Sequence, residues 1–83
     1  MNNKILVTIK VPMIERTYDI YVPISKNIKI VKTLLVDTIH ELSEGHFPKK
    51  QNVILMKRDG TVLNDKLILK DCDIKNGYVL TLI

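Results

Sequence analysis

Cys72, His40 and His46 are the residues whose types best suit catalysis. A thiolate becomes a nucleophile when a neighbouring base accepts its proton, and histidine is the base that works near neutral pH. The chain offers one cysteine and two histidines, and nothing in their spacing brings them together. Cys72 is expected to pack as a small apolar residue beneath the loop from Leu69 to Ile74. His40 falls on the polar side of a helix and His46 in a loop, so both are expected to be solvated. A lone cysteine with two histidines does not make a zinc-site spacing. Gly45, Gly60 and Gly77 are isolated turn residues rather than a phosphate-binding loop. The expectation is a protein that is not an enzyme, with no catalytic residue, cofactor, metal or small-molecule substrate.

Charge offers a second chemistry. Lys26, Lys29 and Lys32 crowd the first turn of that helix, where positive charge opposes the helix dipole. An acidic partner segment, or more remotely a phosphate, would relieve the opposition. The simpler reading is a solvated lysine face with a penalty of a few tenths of a kcal/mol. Ile30 points away from the core with Leu34 at its edge, so Lys29, Ile30 and Lys32 form one candidate protein-binding surface.

The helix that carries these lysines is the longest periodic element. From Ile28 to Leu42, the residues Ile28, Val31, Leu35, Thr38, Ile39 and Leu42 share one side at about 100° per residue, with Leu34 and Val36 at its edges. Ser25 or Asn27 can cap the start, and Gly45 stands where a left-handed cap is wanted. Elsewhere the apolar residues alternate by two. Lys4 to Val11 places Ile5, Val7, Ile9 and Val11 on one face, and Thr17 to Val22 places Tyr18, Ile20 and Val22 inward. Pro12 and Pro23 end these strands. A polar loop from Gly45 to Asn52 follows the helix, and Val53 to Arg58 is read as a third strand.

Asp59-Gly60, taken as a two-residue turn, sets Met56 opposite Leu63. Both then face inward with Ile54, and Val53, Leu55, Lys57 and Val62 face outward. Asn64 to Asn76 reads as a wrapped loop with at most a short helical turn, before a last strand from Tyr78 to Ile83.

Composition limits the class. A chain of 83 residues is expected to be a single domain, 1–83, burying roughly 60–65% of its unfolded surface. At 46% hydrophobic residues it suits a globule. Its N-terminus lacks the unbroken apolar run of a signal peptide, and no segment is long and apolar enough to span a bilayer. A cytoplasmic location without direct membrane insertion is expected, and one cysteine fits a reducing compartment. The formal charge of +4 favours an anionic partner weakly, because acidic residues are interspersed with the lysines. Nucleic-acid binding is the alternative function. It would call for aromatic platforms beside the basic residues, and Phe47 and the three tyrosines are not interleaved with the lysines.

The order strand, strand, helix, strand, short strand, strand resembles the ubiquitin-like, or β-grasp, class: α+β, with one helix across a mixed sheet of four to five strands. The separation of Val22 from Ile28, and the pattern Leu69, Asp71, Ile74, Gly77, Leu80, Leu82, fit it. Thr17-Tyr18-Asp19-Ile20-Tyr21-Val22-Pro23 and the run from Asn64-Asp65-Lys66-Leu67 through Ile74-Lys75-Asn76-Gly77 to Leu82 resemble the YukD/EsaB family. These are small ubiquitin-like cytoplasmic proteins of the type VII (WXG100, ESX-like) secretion systems of Gram-positive bacteria. The resemblance implies a non-catalytic accessory or regulatory module; separately, a monomer or weak dimer is expected, with the edge strand Thr17 to Val22 the place where copies could pair. Its partners would be proteins, membrane-anchored secretion components among them, which would hold it at the inner face of the membrane. Ubiquitin-type conjugation and sulfur transfer act through a C-terminal Gly-Gly, and this sequence ends Leu80-Thr81-Leu82-Ile83, so neither activity is expected.

In a β-grasp sheet the last strand lies between the first and third. Leu6, Thr8, Val53, Leu55, Val79, Thr81 and Ile83 are then expected as neighbours on the outer face, forming an apolar patch of the kind through which ubiquitin-like domains are recognised. Strand propensity alone can also place apolar residues there.

Overall fold

The computed structural model describes residues 3–83. Strand β1, Lys4–Val11, and strand β2, Arg16–Pro23, follow the two alternating segments. They pair antiparallel from Lys4 opposite Pro23 to Val11 opposite Arg16. Pro12 opens a 3-10 turn, Pro12–Ile14, where its missing amide proton costs nothing. Glu15 closes that turn in the left-handed region at φ 53°, its amide donating to the Pro12 carbonyl at 3.1 Å.

The helix α1, Ile28–Leu42, carries the chain across the sheet. Strand β3 is Leu55–Met56 and β4 is Val79–Leu82. The sheet order is β2-β1-β4-β3. β4 runs parallel to β1, and everything between them forms the long crossover that a parallel pair requires. β3 is antiparallel to β4. The short strand expected after the third is reduced to one bridge, Met56 to Val62.

One apolar core lies between α1 and the inner sheet face. Val7, Ile9 and Val11 of β1, Val22 of β2 and Leu82 of β4 are fully buried beneath Ile28, Val31, Leu35 and Ile39 of the helix. Each such side chain contributes about 1.5–3 kcal/mol by leaving water. Two helix positions differ from the periodic expectation. Val36 is buried, whereas Leu42 is 53% exposed. At that end Phe47 is buried completely instead, returned by the loop that follows the helix.

Both helix ends are closed by specific bonds. The Asn27 side chain accepts from the Ile30 amide at 2.9 Å, so of the two candidates Ser25 and Asn27 it is Asn27 that caps the helix. At the other end, Glu44 donates to the Glu41 carbonyl and Gly45 to the His40 carbonyl at 2.8 Å. That is a Schellman motif. Its left-handed residue is Glu44 at φ 54°, one position before the glycine the sequence points to, and Gly45 at φ 84° follows it. Ser43, almost fully buried, accepts from the Phe47 amide at 2.9 Å and thereby holds the aromatic residue in place.

The hairpin around Gly60 departs from its sequence reading. Lys57 donates to the Thr61 carbonyl, Gly60 to the Lys57 carbonyl and Leu63 to the Leu55 carbonyl. Arg58, Asp59 and Gly60 therefore form a three-residue loop, with Gly60 at φ 88° supplying the left-handed step. One extra loop residue shifts the register by one and exchanges the two faces. Val53 and Leu55 are buried and Leu63 lies with them, while Ile54 is exposed and Met56 half-buried. Beyond Asn64 the segment wraps as expected, with a 3-10 turn at Leu69–Cys72.

Candidate protein-binding surfaces

The outer sheet face is fixed by the partners of the buried strand residues. Leu80 and Leu82 point into the core, so Val79, Thr81 and Ile83 point away from it. Thr8 lies beside Val79, Lys10 beside Thr81, and Thr81 beside Met56. Ile54 and Ile83 exchange backbone hydrogen bonds of 2.9 Å, and Val62 bridges to Met56. Of the expected outer residues, the structure brings Leu6, Thr8, Val79, Thr81 and Ile83 onto this face. Val53 and Leu55 are removed from it by the register shift. Ile54 and Met56 take their places, because the loop is Arg58-Asp59-Gly60 rather than the two-residue turn expected from Asp59-Gly60.

The β3–β4 side of this face is apolar and open. Ile54 is 42% exposed, Val62 56% and Ile83 46%. Apart from this patch, the Arg58 guanidinium stacks 4.6 Å from the centre of the Tyr78 ring, with the Lys57 ammonium at 6.0 Å, and Tyr78 packs against the core.

The helix surface is arranged differently from the sequence expectation. The first-turn amides are already occupied, with Ile28 donating to the Leu67 carbonyl at 2.8 Å and Lys29 to the Asp65 carbonyl at 3.2 Å. With Ile30 bonded to Asn27, the N-terminus has no amide free for a phosphate. Lys32 forms an ion pair with Asp65 at 2.7 Å, so its charge is met within the chain. Lys29 and Ile30 remain exposed, beside a shallow depression of about 470 Å³ that Leu34 also lines.

The nucleophile candidates stay apart. Cys72 is buried, its thiol directed at the Ile68 carbonyl at 3.4 Å. Burial pushes that thiol up from its ordinary pKa, the opposite of what an activated cysteine needs. His40 is not simply solvated: its Nδ1 lies 2.8 Å from the Phe47 carbonyl, tying helix to loop. His46, though exposed, has Nδ1 2.7 Å from the Ser43 carbonyl. Among the described residues no group of acidic, histidine or cysteine side chains is arranged to hold a metal, and no helix is long and apolar enough to cross a membrane.

No family model matches the sequence, and a search of curated proteins finds no match. Solved structures do match it. The ubiquitin-like domain of the Mycobacterium tuberculosis type VII secretion system protein ECCD1 superposes with a TM-score of 0.76 at 18% identity, covering 100% of this chain and 99% of that one. A ubiquitin-like domain from Arabidopsis thaliana gives 0.70 at 23% identity over 99% and 78% of the two chains. The chain has the ubiquitin-like β-grasp fold. A chain of the MycP5-free ESX-5 inner membrane complex also contains this fold, matching with a TM-score of 0.73 at 14% identity over 99% of this chain and 21% of its own length. This ubiquitin-like domain therefore resembles in structure a domain of a type VII secretion component.

Proposed function

We propose that this ubiquitin-like domain is a non-catalytic interaction module of a type VII protein secretion system. It docks from the cytoplasmic side on membrane-anchored components of that system, in the manner of the YukD/EsaB proteins. The observation that carries this reading is the full-length match to the mycobacterial secretion domain, joined to an apolar outer sheet face that no element of the described chain covers. Ile54, Val62 and Ile83 form the contact centre with Thr81, and Leu6, Thr8 and Val79 extend it toward β1. A partner that covers this patch removes exposed apolar side chains from water, which is the main source of association free energy at such a surface.

The test is crosslinking capture of the tagged protein from cells that carry a type VII system, comparing wild type with Ile54→Glu/Val62→Glu. Secretion membrane components are recovered with the wild type and lost with the variant, whose circular dichroism is unchanged. Equal recovery by the folded variant overturns the sheet-face docking. Recovery of unrelated proteins alone overturns the secretion assignment.

A further inference from the structure

A second surface lies on the opposite layer, between α1 and the loop at positions 49–53. Here a groove of about 560 Å³ is lined by Lys29 and Lys32 from the helix and by Lys49 and Lys50 from the loop. Val36 and Val53, each 4% exposed, form its floor. Gln51 and Asn52 stand on the loop wall, and Asp37 and Asp65 complete the lining. Four lysines against two aspartates leave a net charge of +2 in the groove, half of the +4 carried by the whole chain. Asp65 is already committed to Lys32. Among the described residues Lys29, Lys49 and Lys50 have no carboxylate within ion-pair distance, so three unpaired cations share the depression with a single uncommitted aspartate, Asp37.

We infer that this groove binds an extended acidic peptide segment of a protein partner, with carboxylates meeting Lys29, Lys49 and Lys50 and an apolar side chain set on Val36 and Val53. Charge complementarity selects the sign of the occupant. The amides of Gln51 and Asn52 select a peptide over a simple anion, because each offers both a donor and an acceptor to a backbone. Nucleic acid is disfavoured because no aromatic side chain lines the groove to stack a base. The inference shares with the proposed function only that the protein binds proteins; it uses neither the outer sheet face nor the secretion assignment.

The test uses a fluorescein-labelled peptide of alternating glutamate and leucine, with a control peptide that replaces glutamate by glutamine. Fluorescence anisotropy measures affinity and amide chemical shifts locate the site. The acidic peptide binds at low salt, weakens as salt rises, and shifts the amides of Lys29, Lys32 and residues 49–53. Lys29→Glu/Lys50→Glu, which alters exposed or half-exposed side chains and leaves the fold intact, binds it about tenfold more weakly or worse. Equal binding of the glutamine peptide, unchanged affinity in the variant, absence of binding at low salt, or shifts confined to the outer sheet face would each overturn the inference. Ile54→Glu/Val62→Glu retains the groove affinity, so failure of one surface is distinguishable from failure of the other. Tighter binding of single-stranded oligonucleotide at the same amides would reassign the groove to nucleic acid and overturn the peptide.

Discussion

The two halves of the outer sheet face are made from the same alternating backbone yet differ in how far their polar groups are paired. On the β1–β2 half, the Thr8 hydroxyl donates to the Asp19 carboxylate at 2.7 Å, Lys4, Lys10 and Thr17 stand exposed around it, and Leu6 lies opposite Tyr21, which is 63% exposed. On the β3–β4 half, Ile54, Val62 and Ile83 lie open with Thr81 and Met56 between them. The inner face dictates residue type on every strand, because a charge there would be buried without a partner. The outer face is under no such demand. A half whose polar groups are partly paired to one another and a half that is apolar and paired to nothing differ in what they have left to offer, and the second gains most from being covered.

The strongest way to break this comparison is to move a charge between adjacent residues of one strand. Leu55→Glu buries a carboxylate in the core with no cation beside it, at a cost of about 3–5 kcal/mol or more. A domain of this length has a total stability of roughly 4–12 kcal/mol, so loss of the cooperative urea transition is expected. Ile54→Glu, one residue away, changes the urea midpoint by less than about 0.5 kcal/mol equivalent and acts on partner binding instead. If the two variants unfold alike, the assignment of faces around β3 is wrong.

Phe47→Ala tests the inner side in a region that carries no regular structure. It empties the largest fully buried side chain and costs about 3–5 kcal/mol. Ser43→Ala, which removes the hydroxyl that accepts from the Phe47 amide, costs about 1–2 kcal/mol by leaving a buried donor unpaired. Urea denaturation of both proteins measures the difference.

These two regions also mark where the sequence is readable. Helix α1 begins at Ile28 and ends at Leu42 as its period and Asn27 require, and β1 covers the expected residues, because each is long enough for a repeated pattern to accumulate. β3 is two residues long and its register hangs on a single turn. Asp59-Gly60 is compatible with loops of two or three residues, and that one step decides whether Leu55 or Ile54 meets the core. Phe47 was hidden for another reason. It is one aromatic residue in a polar loop, and its burial depends on Ser43 and His40 reaching it from the helix end, contacts that no periodicity encodes. The lysine groove was illegible in the same way, since Lys49 and Lys50 face Lys29 only after the helix and its following loop are folded together.

A smaller effect is expected at the start of the helix. Asn27→Ala removes the acceptor for the Ile30 amide and costs about 1 kcal/mol. Asn27→Asp retains the acceptor and adds negative charge at the helix end that Lys26 and Lys29 oppose, so it leaves stability unchanged or raises it by a few tenths of a kcal/mol. Thermal unfolding separates the two, and equal destabilisation by both would mean that the cap is not the source of the effect.

The smallest effect concerns the loop that sets the faces apart. Hydrogen bonds from Thr61, its side chain first and its backbone second, hold the exposed Asp59 carboxyl below its ordinary pKa, and the Thr61 amide lies 3.0 Å from Oδ1. A carboxyl whose folded pKa is depressed binds its proton less readily in the folded state than in the unfolded one. Its contribution to stability is therefore present above the unfolded value of 3.8 and is lost as pH falls through the lower folded value. Asp59→Asn still accepts from the Thr61 amide but has no carboxylate to protonate. Urea midpoints followed from about pH 6 to about pH 2 should fall less steeply for Asp59→Asn than for the wild type, with the two converging at the acid end. Parallel curves would mean that the three-residue loop is held by Gly60 and the backbone alone, and that the register of Leu55 and Ile54 does not depend on the Asp59 charge.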